Sequence, residues 1–300
     1  MPNVKANDIQ IEYDTFGDSS SPPLLLIIGL SCQMIFWAEE LCEQLARKGL
    51  YVIRFDNRDT GLSTKFEEAD VPDVMKALGA IMQGETITVP YTLDDMADDA
   101  VGLLEALSIE KAHICGMSMG GMISQIIAIK HPSRVLSLIS IYSNTGNPEL
   151  PQPKPEAMNV FLTPPPAERE PFIEHTVNSF KILSGPGFPF DEELHRNLAA
   201  RSYDRAFYPQ AVPRQLVAIF AHGNRKPALA NVTAPTLVIH GTDDPIIPVE
   251  GGKDTAEAIP GAAQLIIDGM GHDLPHVGGA WPQIIDAIVD HTIKVEAKTG

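Results

Sequence analysis

The sequence predicts an α/β fold, a mostly parallel central sheet flanked by helices, with a helical insertion. Three observations carry this. Short apolar runs bounded by turn residues alternate with longer stretches of helical period. The alternation breaks between residues 145 and 230 and then resumes. A strand also runs straight into a helix through Gly116-Met117-Ser118-Met119-Gly120, a G-x-S-x-G elbow. At 300 residues, 44% hydrophobic and 20% charged, the chain is long enough to bury one large core.

The elements follow in order. Residues 3 to 16 alternate, with Ile9, Ile11 and Tyr13 set against Asp8, Gln10 and Glu12, which reads as a half-exposed strand or hairpin. After Ser19-Ser20-Ser21-Pro22-Pro23, the run Leu24 to Ile28 is continuously apolar, as a strand buried on both faces should be. Trp37 to Lys48 reads as a helix with Leu41 and Leu45 inward and Gly49 as its stop. Tyr51 to Phe55 is the next buried strand. Thr92 and Asp95 resemble a capping box, and Leu93, Met96, Ala97, Ala100, Leu103, Leu104 and Leu107 form one apolar stripe behind it. Strand Ala112 to Cys115 leads into the elbow, and the helix beyond it ends at His131-Pro132. A strand at Leu136 to Ile141 follows. Strand and helix alternate again at Thr236 to His240, Gly251 to Ala258, Gln264 to Ile267 and Trp281 to Val295.

Within the interruption, prolines crowd the entry from Pro148 to Pro166. Short helices are expected at Phe172 to Leu183, Glu192 to Arg201 and Pro213 to Ala221. Because the sheet pattern returns afterwards, residues 145–230 read as a helical cap, with the core built from 1–144 and 231–300.

Charge and cysteine count exclude several classes. The net charge of −17 disfavours nucleic acid and anionic membrane surfaces, which need a basic face. Three cysteines, Cys32, Cys42 and Cys115, do not make a disulfide framework. Cys42 and Cys115 fall on apolar faces and read as small core residues. Met1-Pro2-Asn3-Val4 opens no secretory signal, so a cytoplasmic location is expected. Self-association is compatible with the sequence but not specified by it.

The chemistry centres on Ser118. A strand that turns at once into a helix forces a tight elbow, and flanking glycines permit close backbone approach. The hydroxyl is held up at the sheet edge, with the N-terminus of the new helix aimed at any developing oxyanion. A serine needs a base and a carboxylate to orient that base. His272, in Asp268-Gly269-Met270-Gly271-His272 after the last strand, is the candidate base, with His276 its rival. Asp243 and Asp244, after the strand ending at His240, are both candidate acids. Met119 and Leu30 are placed to supply oxyanion-hole N–H groups. Met34, Ile35, Phe36, Trp37, Met117 and Met119 lie near this site in sequence. Trp37 and Met117 are taken from that set as substrate-contacting candidates. No metal-ligand cluster or phosphate loop is visible, so no metal and no cofactor is expected.

On these residues the chain resembles the α/β-hydrolase superfamily along nearly its full length. More narrowly it is similar to the aclacinomycin methylesterase-like esterases. The supporting segments are Arg54 to Ser63, Gly116 to Gly120, Ile182 to Asp191 and Gly269 to His272. The superfamily pattern D-x-R-G-x-G-x-S is altered here, with Asp59 and Thr60 in its middle, a form the narrower family shares. Asp56 and Arg58 read as turn-building residues. The resemblance implies an α/β-hydrolase fold, Ser118 as nucleophile, Asp244 as acid and His272 as base. It implies a serine carboxylester hydrolase but does not carry the substrate; the apolar residues near the site point to small to medium hydrophobic esters, a range that takes in methyl esters such as the polyketide methyl esters of the namesake. The expected partner is thus a small-molecule ester. Other readings of the same fold are a cofactor-free haloperoxidase or perhydrolase, a lactone hydrolase, and a hydrolase-fold ligand receptor.

Overall fold

In the computed structural model, which describes residues 2–299, the chain opens with β1 (Asn3–Ala6) and β2 (Ile9–Phe16) paired antiparallel. Asn7 and Asp8 turn the hairpin at φ 45° and 63°, left-handed values that Asn and Asp tolerate and that match the strand twist. Six strands follow: β3 (Pro23–Ile27), β4 (Tyr51–Phe55), β5 (Ala112–Met117), β6 (Val135–Ile141), β7 (Thr236–Gly241) and β8 (Ala263–Ile267). They join the hairpin in one sheet, ordered β1-β2-β4-β3-β5-β6-β7-β8. β2 meets β4 antiparallel, and every pairing from β4 to β8 is parallel.

Period-two alternation divides the buried strands between two cores. Leu25 and Ile27 point to one face, with Ile53, Phe55 and Ile114. That face is covered by α3 (Leu93–Ala106) and α4 (Met119–Lys130), through Leu103, Leu104, Ile123 and Ile127. Leu24 and Leu26 point to the other, with Val52, Ile139 and Ile239. There α1 (Glu39–Arg47) contributes Leu41 and Leu45, and α11 (Ala280–Thr299) contributes Ile284, Ile285 and Ile288. The expected capping box is formed: Thr92 Oγ1 accepts from Asp95 N–H, and the Asp95 carboxylate accepts from Thr92 N–H.

One helix outside the insertion went unanticipated. α2 (Val74–Met82) carries Val74, Ala77, Leu78 and Ile81 at helical spacing, yet it buries none of its side chains; it is started by Asp73, whose carboxylate accepts from Lys76 N–H. Between β6 and β7, which are neighbours in the sheet, lie α5 (Pro155–Leu162), α6 (Arg169–Leu183), α7 (Glu192–Arg205), α8 (Ala211–His222) and α9 (Lys226–Leu229). α5 starts at Pro155, so the proline-rich entry of the insertion includes a helix start. α6 and α7 enclose a small core of Ile173, Val177 and Ala199. α10 (Val249–Ala258) precedes β8.

The turn after β4 is fixed by charge. Arg58 grips Asp99 of α3 through two hydrogen bonds, Nε to Oδ2 at 2.6 Å and a terminal nitrogen to Oδ1 at 2.8 Å. Both side chains are buried, and the guanidinium lies against the rings of Phe66 and Tyr91. Arg58 therefore ties the turn to a distant helix rather than shaping it locally. Removing one member strands the other charge away from water. Asp99→Ala is expected to lower unfolding free energy by about 3–5 kcal/mol, read as the change in urea midpoint at constant m-value.

Candidate active site

Ser118 stands between β5 and α4 at φ 55° and ψ −121°, a conformation that costs energy for any residue with a Cβ. Its neighbours hold it there. Its N–H donates to the Ile141 carbonyl at 2.9 Å, and its own carbonyl accepts from Ser143 Oγ at 2.8 Å. A Cβ on Gly116 would overlap the backbone of Gly120, and one on Gly120 would overlap the Ile27 carbonyl. The elbow is thus pressed against β3 as tightly as the backbone allows.

His272 follows β8, in a loop where Gly269 takes φ 73°. Its Nε2 lies 2.9 Å from Ser118 Oγ and its Nδ1 lies 2.6 Å from Asp244 Oδ2. The carboxylate can only accept, so Nδ1 carries the proton and Nε2 is left to accept from the serine. Asp244 sits in the turn after β7, and its Oδ1 accepts from the N–H groups of Ile246 and Ile247 at 2.9 and 2.8 Å. Burial alone would push this carboxyl up, but the facing imidazoles of His272 and His240 hold it down at about 2. Asp243 is exposed and accepts from Thr242 Oγ1 at 2.7 Å. His276 is engaged elsewhere, with Nδ1 3.1 Å from Asp191 Oδ2.

The loop after β3 passes directly over the serine. A Cβ on Gly29 would sit 3.2 Å from Ser118 Cβ and 3.7 Å from its Oγ. Leu30 is the next residue. Its loop is fixed on both sides: Asn57 donates to the Ile28 carbonyl at 3.0 Å, and the Ser31 N–H donates to Gln215 Oε1 at 3.1 Å. Met119 is the first residue of α4, so its N–H has no acceptor within that helix.

A cavity of about 200 Å³ opens onto Ser118 and His272. Its wall is largely aromatic and aliphatic, with Phe36, Phe161, Phe172, Phe180, Phe207 and Tyr208, and Phe36 stacks on Phe180 at 5.4 Å. Met117 is part of its wall. Trp37 is not: it is fully buried among Leu41, Cys42 and Ile285 in the core, so proximity in sequence misplaced it. Met34, Ile35 and Met119 are likewise buried away from the cavity, leaving Phe36 and Met117 as the members of that apolar set that face it. Cys32 also lines the wall, with burial pushing its thiol up to about 12.

Two supporting residues escaped sequence reasoning. His240, at the end of β7, donates from Nε2 to the Ile247 carbonyl at 2.8 Å, and the same nitrogen is 3.5 Å from Asp244 Oδ2. Its position four residues before Asp244 was the available signal. Gln215 of α8 is separated from Ser31 by 184 residues, and nothing in the sequence joins them.

A family model described as the alpha/beta hydrolase fold matches residues 22–278. The rhodomycin D methylesterases of Streptomyces sp. (strain C5) and Streptomyces peucetius are each 30% identical to this chain over 297 residues, covering 91% of it and 92% of theirs. Among solved structures, the enol-lactonase from Burkholderia xenovorans LB400 superposes with a TM-score of 0.68 at 19% identity, over 99% of this chain and all of that one.

Two glycine substitutions separate close packing from simple helix propensity. Gly120→Ala forces a methyl into the Ile27 carbonyl and is expected to cost about 1–3 kcal/mol or more. Gly79→Ala meets nothing within 4 Å in α2 and is expected to gain about 0.5–1 kcal/mol. Thermal midpoints of the two variants should move in opposite directions.

Proposed function

The chain belongs to the α/β hydrolase fold family, and we propose that it is a serine carboxylester hydrolase acting on small to medium hydrophobic esters through an acyl-enzyme. The observation that carries this is the unbroken hydrogen-bonded line Ser118–His272–Asp244, with its serine end open to an apolar cavity. Ser118 Oγ attacks the ester carbonyl carbon while His272 Nε2 takes its proton. The carbonyl oxygen becomes an oxyanion held by the N–H groups of Leu30 and Met119. Collapse of the tetrahedral intermediate expels the alcohol oxygen, which receives the proton from His272. Water then enters, gives its proton to His272 and attacks the acyl carbon. Ser118 leaves with that proton, and the carboxylic acid departs. Asp244 stays ionised throughout and stabilises the imidazolium formed in each half-reaction.

Residues 145–230 act as a helical cap. Support comes from the cavity wall, where Phe161, Phe180, Phe207 and Val212 of the insertion face Ser118 and His272 of the core. Such a wall suits an uncharged, hydrophobic acyl or alcohol group. The similarity to rhodomycin D methylesterases, taken with this lining, puts methyl esters of bulky hydrophobic acids within the substrate range.

Ser118→Ala should lose both steady ester turnover and covalent labelling by an organophosphonate while the far-ultraviolet dichroism is unchanged; labelling of that variant would refute the assignment. Asp244→Asn should lower turnover by about 10⁴-fold, as loss of the orienting charge does in serine proteases. Asp243→Asn, whose carboxylate faces solvent and Thr242, should lose far less. Both are measured on one activated ester. With Asp244 held at about 2, the fall in activity on acidification reports proton uptake by the histidine base and not by its carboxylate partner.

A further inference from the structure

We propose that His195, carried by α7, is a buried imidazolium whose charge balances Asp273 and so keeps the neighbouring His272 free to act as a base. The inference rests on the reading of His272 as the general base. It stands first on hydrogen-bond geometry. His195 Nδ1 lies 2.8 Å from the Asp191 carbonyl oxygen, and Nε2 lies 3.2 Å from Asp273 Oδ2. The carbonyl oxygen cannot donate, and neither can the Asp273 carboxyl, which accepts from the Leu274 N–H and Ser184 hydroxyl and is held ionised. A neutral imidazole has one N–H and would turn a lone pair toward one of them. Only the doubly protonated ring satisfies both contacts.

The surroundings favour that cation. The ring is 5% exposed and lies between Phe180 and Phe190, with centroids 4.7 and 4.6 Å away. Aromatic faces attract a cation, and more strongly when water is excluded. Burial pushes the His195 pKa down, but Asp273 and Asp191 more than reverse this and it is raised. Asp273 shows the reciprocal effect: burial pushes it up, and the His195 contact leads the interactions that bring it below its ordinary value. Its other acceptor capacity is taken by the Leu274 N–H at 2.7 Å and Ser184 Oγ at 3.1 Å.

The other titratable and charged groups around the pair do not replace His195. From the N-terminus of α7, Asp191 is already bonded to His276. From α6, Lys181 lies over the outer ring, Phe190, at 5.7 Å and is paired with Glu192. His175, also on α6 and in the cavity wall, has its pKa lowered by burial. On the core side, burial keeps the Cys32 thiol and the Tyr142 phenol protonated.

Asp273 directly follows His272, and both line the cavity. Without a counter-charge, Asp273 would be a second buried anion, in addition to Asp244, in the cavity wall that holds His272. An extra anion favours the imidazolium form of His272, and that form cannot take the serine proton. His195 is therefore a positioning residue that acts through Asp273. It also couples the insertion to the catalytic loop at the point where the His272 N–H donates to the Leu183 carbonyl at 2.8 Å.

The test is the pH profile of kcat/KM on an activated ester for the wild type, His195→Asn, Asp273→Asn and the double variant. His195→Asn should move the acid limb upward by about one pH unit, a roughly tenfold loss below the limb with little loss above it. Asp273→Asn should move it downward. The double variant should return it toward the wild-type position, which a purely structural role for either side chain would not do. Nitrogen-15 spectra of the histidines in the wild-type protein should show both His195 ring nitrogens protonated at neutral pH. Unmoved limbs, or a single protonated nitrogen on His195, would overturn the inference and leave the serine–histidine reading intact. Failure of that reading would show separately, as turnover retained by Ser118→Ala.

Discussion

The site depends on one backbone constraint, the left-handed turn at Ser118 with φ 55°. A serine does not adopt this conformation unless the surroundings over-determine it. Here the surroundings are mostly absence of side chain. Gly116 and Gly120 let β5, the first turn of α4 and the end of β3 meet at backbone contact distance. That contact sends the hydroxyl above the sheet edge toward His272, and it brings the Gly29 loop over Ser118. Several kilocalories of core packing in the two clusters flanking the sheet hold this strained point in place.

The insertion is bonded to both halves of the machinery, not merely stacked above it. Arg205 of α7 reaches Asp56, and Arg214 of α8 reaches Asp59, so each carboxylate of the turn after β4 receives a guanidinium from the insertion. Asp56 also accepts from the N–H groups of Met34 and Leu62, which joins its turn-building role to the loop over the serine. Gln215 continues this link. Its oxygen accepts from Ser31 N–H, and its amide nitrogen donates to Thr60 Oγ1. On the other side, the segment from Leu183 to Gly187 packs against the loop carrying His272. Side chains at Gly185 or Gly187 would collide with Gly269. These are short-range contacts, so movement of the insertion would disturb the loops that carry Leu30 and His272.

This wiring explains why the chain departs from the wider superfamily pattern after β4. Asp59 takes φ 67° where a glycine is usual, and its carboxylate accepts from Phe66 N–H, Tyr91 Oη and Arg214. The backbone cost of a side chain at that angle is offset by three hydrogen bonds, one of them to the insertion. A glycine there would relax the turn and leave Arg214 without its carboxylate.

What local periodicity and turn chemistry encode can be read from the chain alone. The strand runs, the capping box at Thr92, the elbow at Ser118 and the glycine-rich approach to His272 all act over a few residues, so each was legible without the fold. The sequence also narrowed the acid to two adjacent aspartates, and the family resemblance favoured Asp244. Tertiary structure decided what depends on direction and on distant partners. It turned Asp244 inward and Asp243 outward, buried Trp37 in the core while leaving Phe36 on the cavity, and gave Arg58 a partner in α3. It joined His195 to Asp273, and Gln215 to Ser31 across 184 residues. Hydrophobic pattern specifies which face of a strand or helix is buried, but it carries no information about which polar groups meet once those faces are packed.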